Sequence, residues 1–277
     1  MIESSDPYVY PGTDVLRNRR DLRDSGQLQK FEARVTSRRL VEWRARPRPA
    51  TFDAAHLRAI HRYLFQDVYA WAGEFRTVFI SKGTHTFEAP YLLARKAEDL
   101  AREIKRANRF RGLTRREFAA AAAALFARLN QLHPFREGNG RTQREFIREL
   151  ALQAGHTLSF DIISKERMIA ASIAASGGGK LEMMERLFVE ISDVTLVEVL
   201  RETIEFLSGP HFNNFNWNDR YLAITTPGRE YRGSLVGRQG TQCLIVDAEG
   251  RLFVSSTKSL PASARSGDIV TFVAQEF

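Results

Sequence analysis

The sequence has a single cysteine, Cys243, so no disulfide can form within the chain. We therefore expect synthesis in a reducing cytosol, and Cys243 is predicted to be a buried structural thiol because it stands in the apolar run TQCLIV. No run of about 18 apolar residues occurs, which argues against a membrane-spanning helix. The first residues, MIESSDPYVYPG, lack the basic start and the apolar stretch of a secretory signal.

Lysine is scarce, because only seven of the 41 basic residues are lysines and the rest are arginines. The net charge of +8 raises the question of nucleic acid. However, the basic residues alternate with acids, as in RNRRDLRDSG, and this mixture is typical of solvated helical faces. No helix-turn-helix, zinc or RNA-binding signature accompanies the charge, so specific nucleic-acid binding is not expected.

Apolar spacing predicts helices over much of the chain. Asp53 is the predicted N-cap of a helix of about five turns that continues to Trp71, and a second helix is predicted near residues 91–107. Between them, GEFRTVFISKGTHTFEAP has aromatic and β-branched residues on both sides of a polar turn. That composition predicts a short β-hairpin.

A third and a fourth helix flank a short connection. Thr114 and Glu117 have the spacing of a capping box in front of an alanine-rich helix. This helix should end near Leu132, because Pro134 disfavours helical geometry in the residue before it. The fourth helix is predicted to start at the glycines of EGNGR and to end at Gly155.

The residue pattern of the sequence changes near residue 210, from helical spacing to short β-rich runs. Before it, SKERMIAASIAAS and LEMMERLFVEISDVTLVEVLRETIEFL predict further helices, with SGGGK as a plain flexible connection. After it, short β-rich runs alternate with turns such as DAEG and RSGD, which predicts about five strands in a small barrel of the OB type. The sequence thus predicts a mainly α domain over residues 1–209 and a small all-β domain over residues 210–277.

The stretch HPFREGNGRTQR, residues 133–144, gathers residues that suit phosphate chemistry. Gly138 and Gly140 can adopt positive φ, so the backbone around Asn139 can point several N–H groups into one concavity. The helix that starts here would add the positive end of its dipole. Arg141 and Arg144 could contact the same anion, and two arginines favour a diphosphate or triphosphate over a single carboxylate.

Two further residues of this stretch suit catalysis. Glu137 would repel bound phosphate unless a cation lay between them, and Mg²⁺ favours one or two carboxylate oxygens together with phosphate oxygens. His133 could accept a proton from an attacking hydroxyl, because the ordinary pKa of histidine is near neutrality. Singly, each element is typical of a helix end, a glycine turn or a solvated face. Their order predicts in-line attack on a metal-bound nucleotide phosphate.

HPFREGNGRTQR resembles the motif of the Fic family, and all fixed positions of that motif match. YPGTDVLRNR resembles the usual opening of the family, and WAGEFRTVFISKG resembles the segment that leads into its flap. The resemblance covers residues 8–200 in round numbers. It implies a Fic-type helical bundle with a β-hairpin flap.

The resemblance also implies a role for each motif residue. His133 would deprotonate a Tyr, Thr or Ser hydroxyl of a target protein, and Glu137 would hold Mg²⁺. The phosphates of ATP would be bound, and their developing charge neutralised, by the turn and the two arginines: Gly138, Asn139, Gly140, Arg141 and Arg144. Doc-like members, which transfer phosphate, carry lysine where this chain has Gly140, so the resemblance favours AMP transfer.

The hairpin gains a role from the resemblance, because the flap of Fic proteins holds the target segment by strand-to-strand hydrogen bonds. The flap that docks the target would consist of Ile80, Ser81, Lys82, Gly83, Thr84 and His85. A hairpin that only covers the core is the alternative. The family's inhibitory motif has no complete match, since the nearest string, Thr226-Pro-Gly-Arg-Glu230-Tyr, has the wrong last residue. A small antitoxin-like inhibitor acting in trans is therefore favoured over an unrestrained enzyme.

A Fic core followed by an OB-like domain resembles the Bartonella effectors that a type IV secretion system injects into host cells. Those effectors carry a further secretion domain, so this chain is expected to be part of a longer protein, located in the bacterial cytoplasm and then in the host cell. Two alternatives stay open: a Fic toxin that modifies a bacterial target such as a topoisomerase, and a noncatalytic adaptor. For the OB-like domain, a spacer or protein-binding role is favoured over nucleic-acid binding.

Overall fold

The computed structural model describes residues 6–46, 49–83, 85–176, 179–212 and 215–277. The helices in these residues are α1 (Ser25–Arg44), α2 (Ala54–Phe65), α3 (Leu93–Arg106), α4 (Arg115–Leu132), α5 (Asn139–Ala154), α6 (Lys165–Ala174), α7 (Glu182–Ser192) and α8 (Val194–Leu207). The strands are β1 (Ser81–Lys82), β2 (His85–Thr86), β3 (Leu222–Ile224), β4 (Glu230–Gln239), β5 (Gln242–Val246), β6 (Leu252–Ser256) and β7 (Ile269–Val273).

The chain divides into two compact units. One comprises residues 1–114 and 124–156, and the other comprises residues 115–123 and 157–277. The hairpin and the HPFREGNGRTQR stretch both belong to the first unit, whereas α6 to α8 belong with the β-rich segment. This grouping differs from the division at residues 209 and 210, which stays a prediction about domain boundaries.

Helix α2 begins as predicted but is shorter. The Asp53 side chain accepts a hydrogen bond from the His56 amide and caps the helix. The prediction that it continues to Trp71 is wrong, because the amides of Val68 and Tyr69 both turn back to the Phe65 carbonyl. Val68 and Tyr69 are still buried, so a compact turn satisfies the same apolar spacing that suggested a longer helix.

Helix α1 is not among the predicted helices. The Asp24 side chain caps it by accepting from the Gln27 amide at 2.8 Å. Its inner face buries Glu32 and Thr36 besides Leu28 and Trp43, so a continuous apolar stripe, the usual sequence signal of a helix, is missing.

The predicted ends of α4 and α5 and the predicted hairpin are confirmed. Helix α4 ends at Leu132, and α5 ends before Gly155, whose φ of +87° forms the C-cap. The two-residue strands β1 and β2 pair antiparallel in the predicted hairpin, with Ser81 opposite Thr86. Thr84, at the tip of the predicted flap, lies outside the described residues.

The second unit contains a five-stranded sheet in the order β3-β6-β5-β4-β7. The β3–β6 pair is parallel and the other pairs are antiparallel. Across the described ranges no pairing joins β3 to β7, so closure into an OB-type barrel stays a proposal. Cys243 is buried in β5 as predicted, and burial raises the pKa of its thiol to about 11.

Two further predictions concern connections and membranes. Gly177 and Gly178, in the predicted flexible connection, lie outside the described residues. Within the part of the chain that the structure describes, no helix is both long and apolar enough to cross a bilayer.

Candidate active site

Gly138 fixes the start of α5. Its φ is +82°, and a Cβ at this position would lie 2.3 Å from Cζ of the buried Phe65 ring. The Gly138 carbonyl accepts bonds from both the amide and the hydroxyl of Thr142. Gly140 lies inside the helix with ordinary φ, so the expectation of positive φ holds at Gly138 and is wrong at Gly140.

The first turn of α5 presents open backbone donors. The amides of Asn139, Gly140 and Arg141 have no hydrogen-bond acceptor among the residues that the structure describes. The Asn139 side chain is already engaged, because its Oδ1 and Nδ2 bond the amide and carbonyl of Phe135 at 2.9 and 2.7 Å. Asn139 thus fixes the turn with its side chain and offers only its backbone to a ligand, an arrangement that favours an anion.

Arg144 lies over this turn without a carboxylate partner. An ideal Cβ on Gly140 would be 3.4 Å from Arg144 Nη1, which places the guanidinium beside the open amides. Within the described ranges, no carboxylate oxygen comes within 4 Å of it. Burial first, and then the charge of Arg141, lower the pKa of Arg144. A desolvated cation beside another cation is stabilised when an anion binds next to it.

Arg141, by contrast, is already held by acids. Its Nη2 lies 2.5 Å from Glu32 Oε1 and 3.5 Å from Glu137 Oε1, and its Nη1 donates to the Thr36 hydroxyl at 3.1 Å. The other Glu32 oxygen accepts from the Tyr69 hydroxyl. The sequence predicted that Arg141 could contact an anion together with Arg144, and this stays a prediction. The structure shows that its guanidinium is fixed from α1, with its charge partly neutralised.

Glu137 lies directly before the open amides of the first α5 turn. Its Oε1 accepts from the Gly138 amide at 2.7 Å, and 44% of its side chain is exposed. No group of three or more His, Cys, Asp or Glu residues forms a metal cage anywhere in the described ranges. A single exposed carboxylate fits Mg²⁺ only if substrate phosphates and water supply the remaining oxygens, which is the way Mg²⁺ is usually bound.

His133 follows α4 in a left-handed conformation, with φ of +42°. Its Nδ1 lies 3.3 Å from the Asn130 carbonyl, so Nδ1 carries the proton and Nε2 is the free acceptor. The Phe87 ring stacks on the imidazole at a centroid distance of 3.9 Å. The sequence predicted a pKa near neutrality. Instead, burial lowers the pKa of His133 to about 4, and the charges of Arg76, Lys82 and His85 contribute.

This low pKa predicts the acidic limit of activity. The pH dependence of kcat/KM reports protonation of the free enzyme. We expect kcat/KM to stay level as pH falls through 6.5 and to decline only towards pH 4, where the imidazole takes up a proton. Measurements of kcat/KM at constant ionic strength from pH 8 to about pH 4.5 would test this. If kcat/KM instead declined around pH 6.5, and variants of His133 did not show this decline, the low pKa of His133 would be contradicted.

Proximity links the predicted flap to this histidine. Lys82 and His85 are near enough for their charges to lower its pKa, and Phe87, which follows β2, covers its ring. Ser81, Lys82 and Gly83 are exposed, and the Ile80 carbonyl accepts from the Phe87 amide at the base of the hairpin. The structure therefore brings all described flap residues and the motif into one unit.

Comparison with known proteins agrees with this geometry. Residues 51–151 match the Fic/DOC family. A probable protein adenylyltransferase of Sinorhizobium fredii is 40% identical over 174 residues, which make up 62% of this chain and 89% of that relative. The chain belongs to the Fic/DOC family.

Two further similarities extend over nearly the whole Fic chain. A protein adenylyltransferase of Bartonella henselae is 33% identical over 286 residues, covering 96% of this chain and 52% of that relative. The chain therefore spans about half the length of this relative. The solved structure of the type IV secretion system effector protein BepA matches with a TM-score of 0.88 and 32% identity, over 98% of this chain and 96% of that chain.

Arg76 contacts the motif from outside it, and the motif alone did not reveal this residue. It is 2% exposed, and no carboxylate of the described residues lies within 4 Å of it. Its guanidinium donates to the carbonyls of His133 at 2.8 Å, Val78 at 2.7 Å and Glu88 at 2.5 Å. Arg76 thus joins both ends of the flap segment to the backbone of His133. Its sequence signal was a lone arginine in the aromatic run EFRTVF.

His61 supports the backbone of Glu137 from α2. The Gly73 amide donates to its Nδ1 at 2.8 Å, so Nε2 carries the proton and donates to the Glu137 carbonyl at 2.9 Å. The ring is fully buried and stacks on Phe135 at 3.8 Å. Burial lowers the pKa of His61 to about 3, which keeps the ring neutral and this hydrogen bond intact.

Proposed function

We propose that this Fic protein is an Mg²⁺-dependent protein adenylyltransferase that transfers AMP from ATP to a Tyr, Thr or Ser hydroxyl. One observation carries the proposal: the open amides of the first α5 turn lie beside Arg144, a desolvated arginine without a carboxylate partner. Such a turn suits a chain of phosphates, and His133 follows the helix before it. The names of the two adenylyltransferase relatives support the same reaction.

In the proposed reaction, the target hydroxyl oxygen attacks the α-phosphorus of ATP and its proton moves to His133 Nε2. The bond between the α-phosphorus and the bridging oxygen breaks, and pyrophosphate leaves with the electron pair. Arg144 and the α5 amides would stabilise the charge that develops on the phosphate oxygens. Arg141, fixed by Glu32, would add positive charge without having to be reoriented.

Glu137 would hold Mg²⁺ through its exposed carboxylate, and the ion would supply positive charge that stabilises the phosphate oxygens. The hydrogen bond from His61 to the Glu137 carbonyl would orient this residue. Gly140, at the position where Doc-like members carry lysine, supports transfer of AMP rather than phosphate.

The flap is the proposed docking element for the target. Because β1 and β2 pair only with each other within the described residues, each has an edge that could accept an extended target segment. We assign this role to Ile80 through His85, including Thr84. A partner with a surface-exposed hydroxyl in an extended loop would suit such an edge.

We further propose that the chain is part of a secreted, host-directed effector, with a Fic domain over residues 1–209 and an OB-like barrel over residues 210–277. The match to the type IV effector BepA across both regions supports this architecture. We accordingly propose production in the bacterial cytoplasm and delivery to host cytoplasm. A small inhibitor in trans is proposed because the family's inhibitory motif has no complete match in the chain.

ATP labelled at the α- or the γ-phosphate distinguishes AMP transfer from phosphate transfer and from a noncatalytic role. With α-³²P-ATP, Mg²⁺ and host lysate, we expect a labelled protein band, whereas γ-³²P-ATP should leave that band unlabelled. EDTA present during the incubation should prevent labelling. A band labelled only from γ-³²P-ATP would indicate phosphate transfer, and the absence of both would favour the noncatalytic adaptor.

A further inference from the structure

A second concave surface in the first unit is lined mainly by arginines. We call it the arginine groove: it has a volume of about 690 Å³, and its charged lining residues are Arg19, Arg20, Arg34, Arg38, Arg39 and Asp67. It lies between the segment before α1, the outer face of α1 and the turn after α2. None of these residues belongs to the motif or the flap.

Only some of these arginines are neutralised. Arg39 bonds Asp67 at 2.6 Å and Glu42 at 2.9 Å, and Arg38 bonds the same Glu42 at 2.8 Å. Arg19, Arg20 and Arg34 are exposed and have no carboxylate within 4 Å in the part of the chain that the structure describes. The groove therefore carries an uncompensated excess of positive charge.

This charge excess acts against the stability of α1. Arg34 and Arg38 are four residues apart on its exposed surface, and like charges at this spacing destabilise a helix. The positive charge also affects a titratable group in the groove. The Arg39 guanidinium holds the pKa of Asp67 below its ordinary value, and the charges of Arg38 and Arg19 add to the effect. A concentration of like charge that the fold does not need points to an external anion.

We propose that the arginine groove binds an acidic polypeptide segment of a partner protein. Planar guanidinium groups match carboxylates in two-point hydrogen bonds. Single-stranded nucleic acid is a poorer fit, because the only ring in the lining, Phe31, already lies under the Arg20 guanidinium at 5.6 Å. A membrane surface is also a poorer fit, because the groove is concave and its apolar lining is limited to Phe31 and Val35.

The arginine groove lies next to the residues that hold Arg141 in the proposed active site, but it contains none of the proposed catalytic residues. Phe31 precedes Glu32, which holds Arg141, and Asp67 lies two residues before Tyr69, which bonds Glu32. An acidic segment bound in the groove would lie against the outer side of α1, the helix that carries Glu32. The inference goes beyond the proposed transfer reaction, because binding requires neither ATP nor His133.

A fluorescein-labelled Glu-rich peptide, followed by fluorescence anisotropy without ATP, tests the proposal. Combining Arg20→Glu with Arg34→Glu should weaken binding about tenfold or more, because both bidentate contacts are replaced by repulsion. The matched control combines Arg95→Glu with Lys105→Glu on the exposed side of α3, which changes the net charge equally. The control should retain most of the affinity, and raised salt should weaken binding in the wild type.

Three results would overturn the proposal. The first is equal weakening in both double variants, which would indicate attraction by net charge alone. The second is a labelled single-stranded oligonucleotide that binds more tightly than the peptide and loses binding in the groove variant. The third is no peptide binding by a wild-type protein whose circular dichroism shows that it is folded. The His133→Ala variant should bind the peptide normally, which separates this proposal from the transfer reaction.

Discussion

Replacing His133 with alanine is expected to lower AMP transfer by about 10²- to 10⁴-fold, the usual contribution of a general base. The substitution removes Nε2, the proposed acceptor for the target proton, and leaves the open amides of α5 and Arg144 in place. ATP affinity should therefore be nearly unchanged. Rates of label transfer from α-³²P-ATP, together with calorimetric titration of ATP, would measure both quantities on the same preparations.

His85 provides the control for this variant. It is the other imidazole close enough to influence the pKa of His133, so it is the competing candidate for the base. His85→Ala should mainly raise KM for the protein target, because His85 belongs to the proposed docking hairpin. If His85→Ala abolished transfer while His133→Ala retained it, the assigned roles would be reversed.

The motif was predictable from sequence because its geometry is local. Gly138 stands at a helix start, with Glu137 directly before it and the residues from Asn139 to Arg144 after it along less than two turns of α5. Their spacing alone therefore brings them to one helix end. The proline after His133 likewise limited how far α4 could extend, and the helix ends at Leu132. Local rules sufficed for these residues, because each depends on neighbours within a few positions.

The environment of the motif was not predictable, because it comes from distant segments. Glu32 holds Arg141 from 109 residues away, and Arg76 reaches the His133 carbonyl across 57 residues. Glu32 fixes Arg141, and burial, with a smaller contribution from the charge of Arg76, lowers the pKa of His133 to about 4. A lone glutamate in a charged helix or a lone arginine before a hairpin does not reveal such contacts in one sequence.

The β-rich region shows the same contrast. Alternating apolar residues and turn signals predicted the strands correctly, because each strand reflects its own side-chain pattern. The order β3-β6-β5-β4-β7, with β3 parallel to β6, depends on pairing between segments that are not neighbours in sequence. Pattern alone does not specify that pairing, so strand content was predictable and topology was not.

The second large effect is expected for Gly138→Ala, which should destabilise the fold by about 2–5 kcal/mol, combining left-handed backbone strain with overpacking. The added Cβ would lie 2.3 Å from Phe65 Cζ, and Phe65 is fully buried, so its ring has no space into which to move. Relief of the clash would shift the start of α5 and disturb the open amides. Denaturant unfolding followed by circular dichroism, together with transfer assays, would measure both consequences.

Gly140→Ala is the matched control, since it adds the same methyl group two residues later. Gly140 has helical φ, and its Cβ would meet only Arg144 Nη1 at 3.4 Å, an ordinary contact with the end of a flexible side chain. The free energy of unfolding should therefore change by less than about 1 kcal/mol, in the stabilising direction that alanine gives inside a helix. Equal destabilisation by the two substitutions would contradict the view that Gly138 alone sets the backbone of this turn.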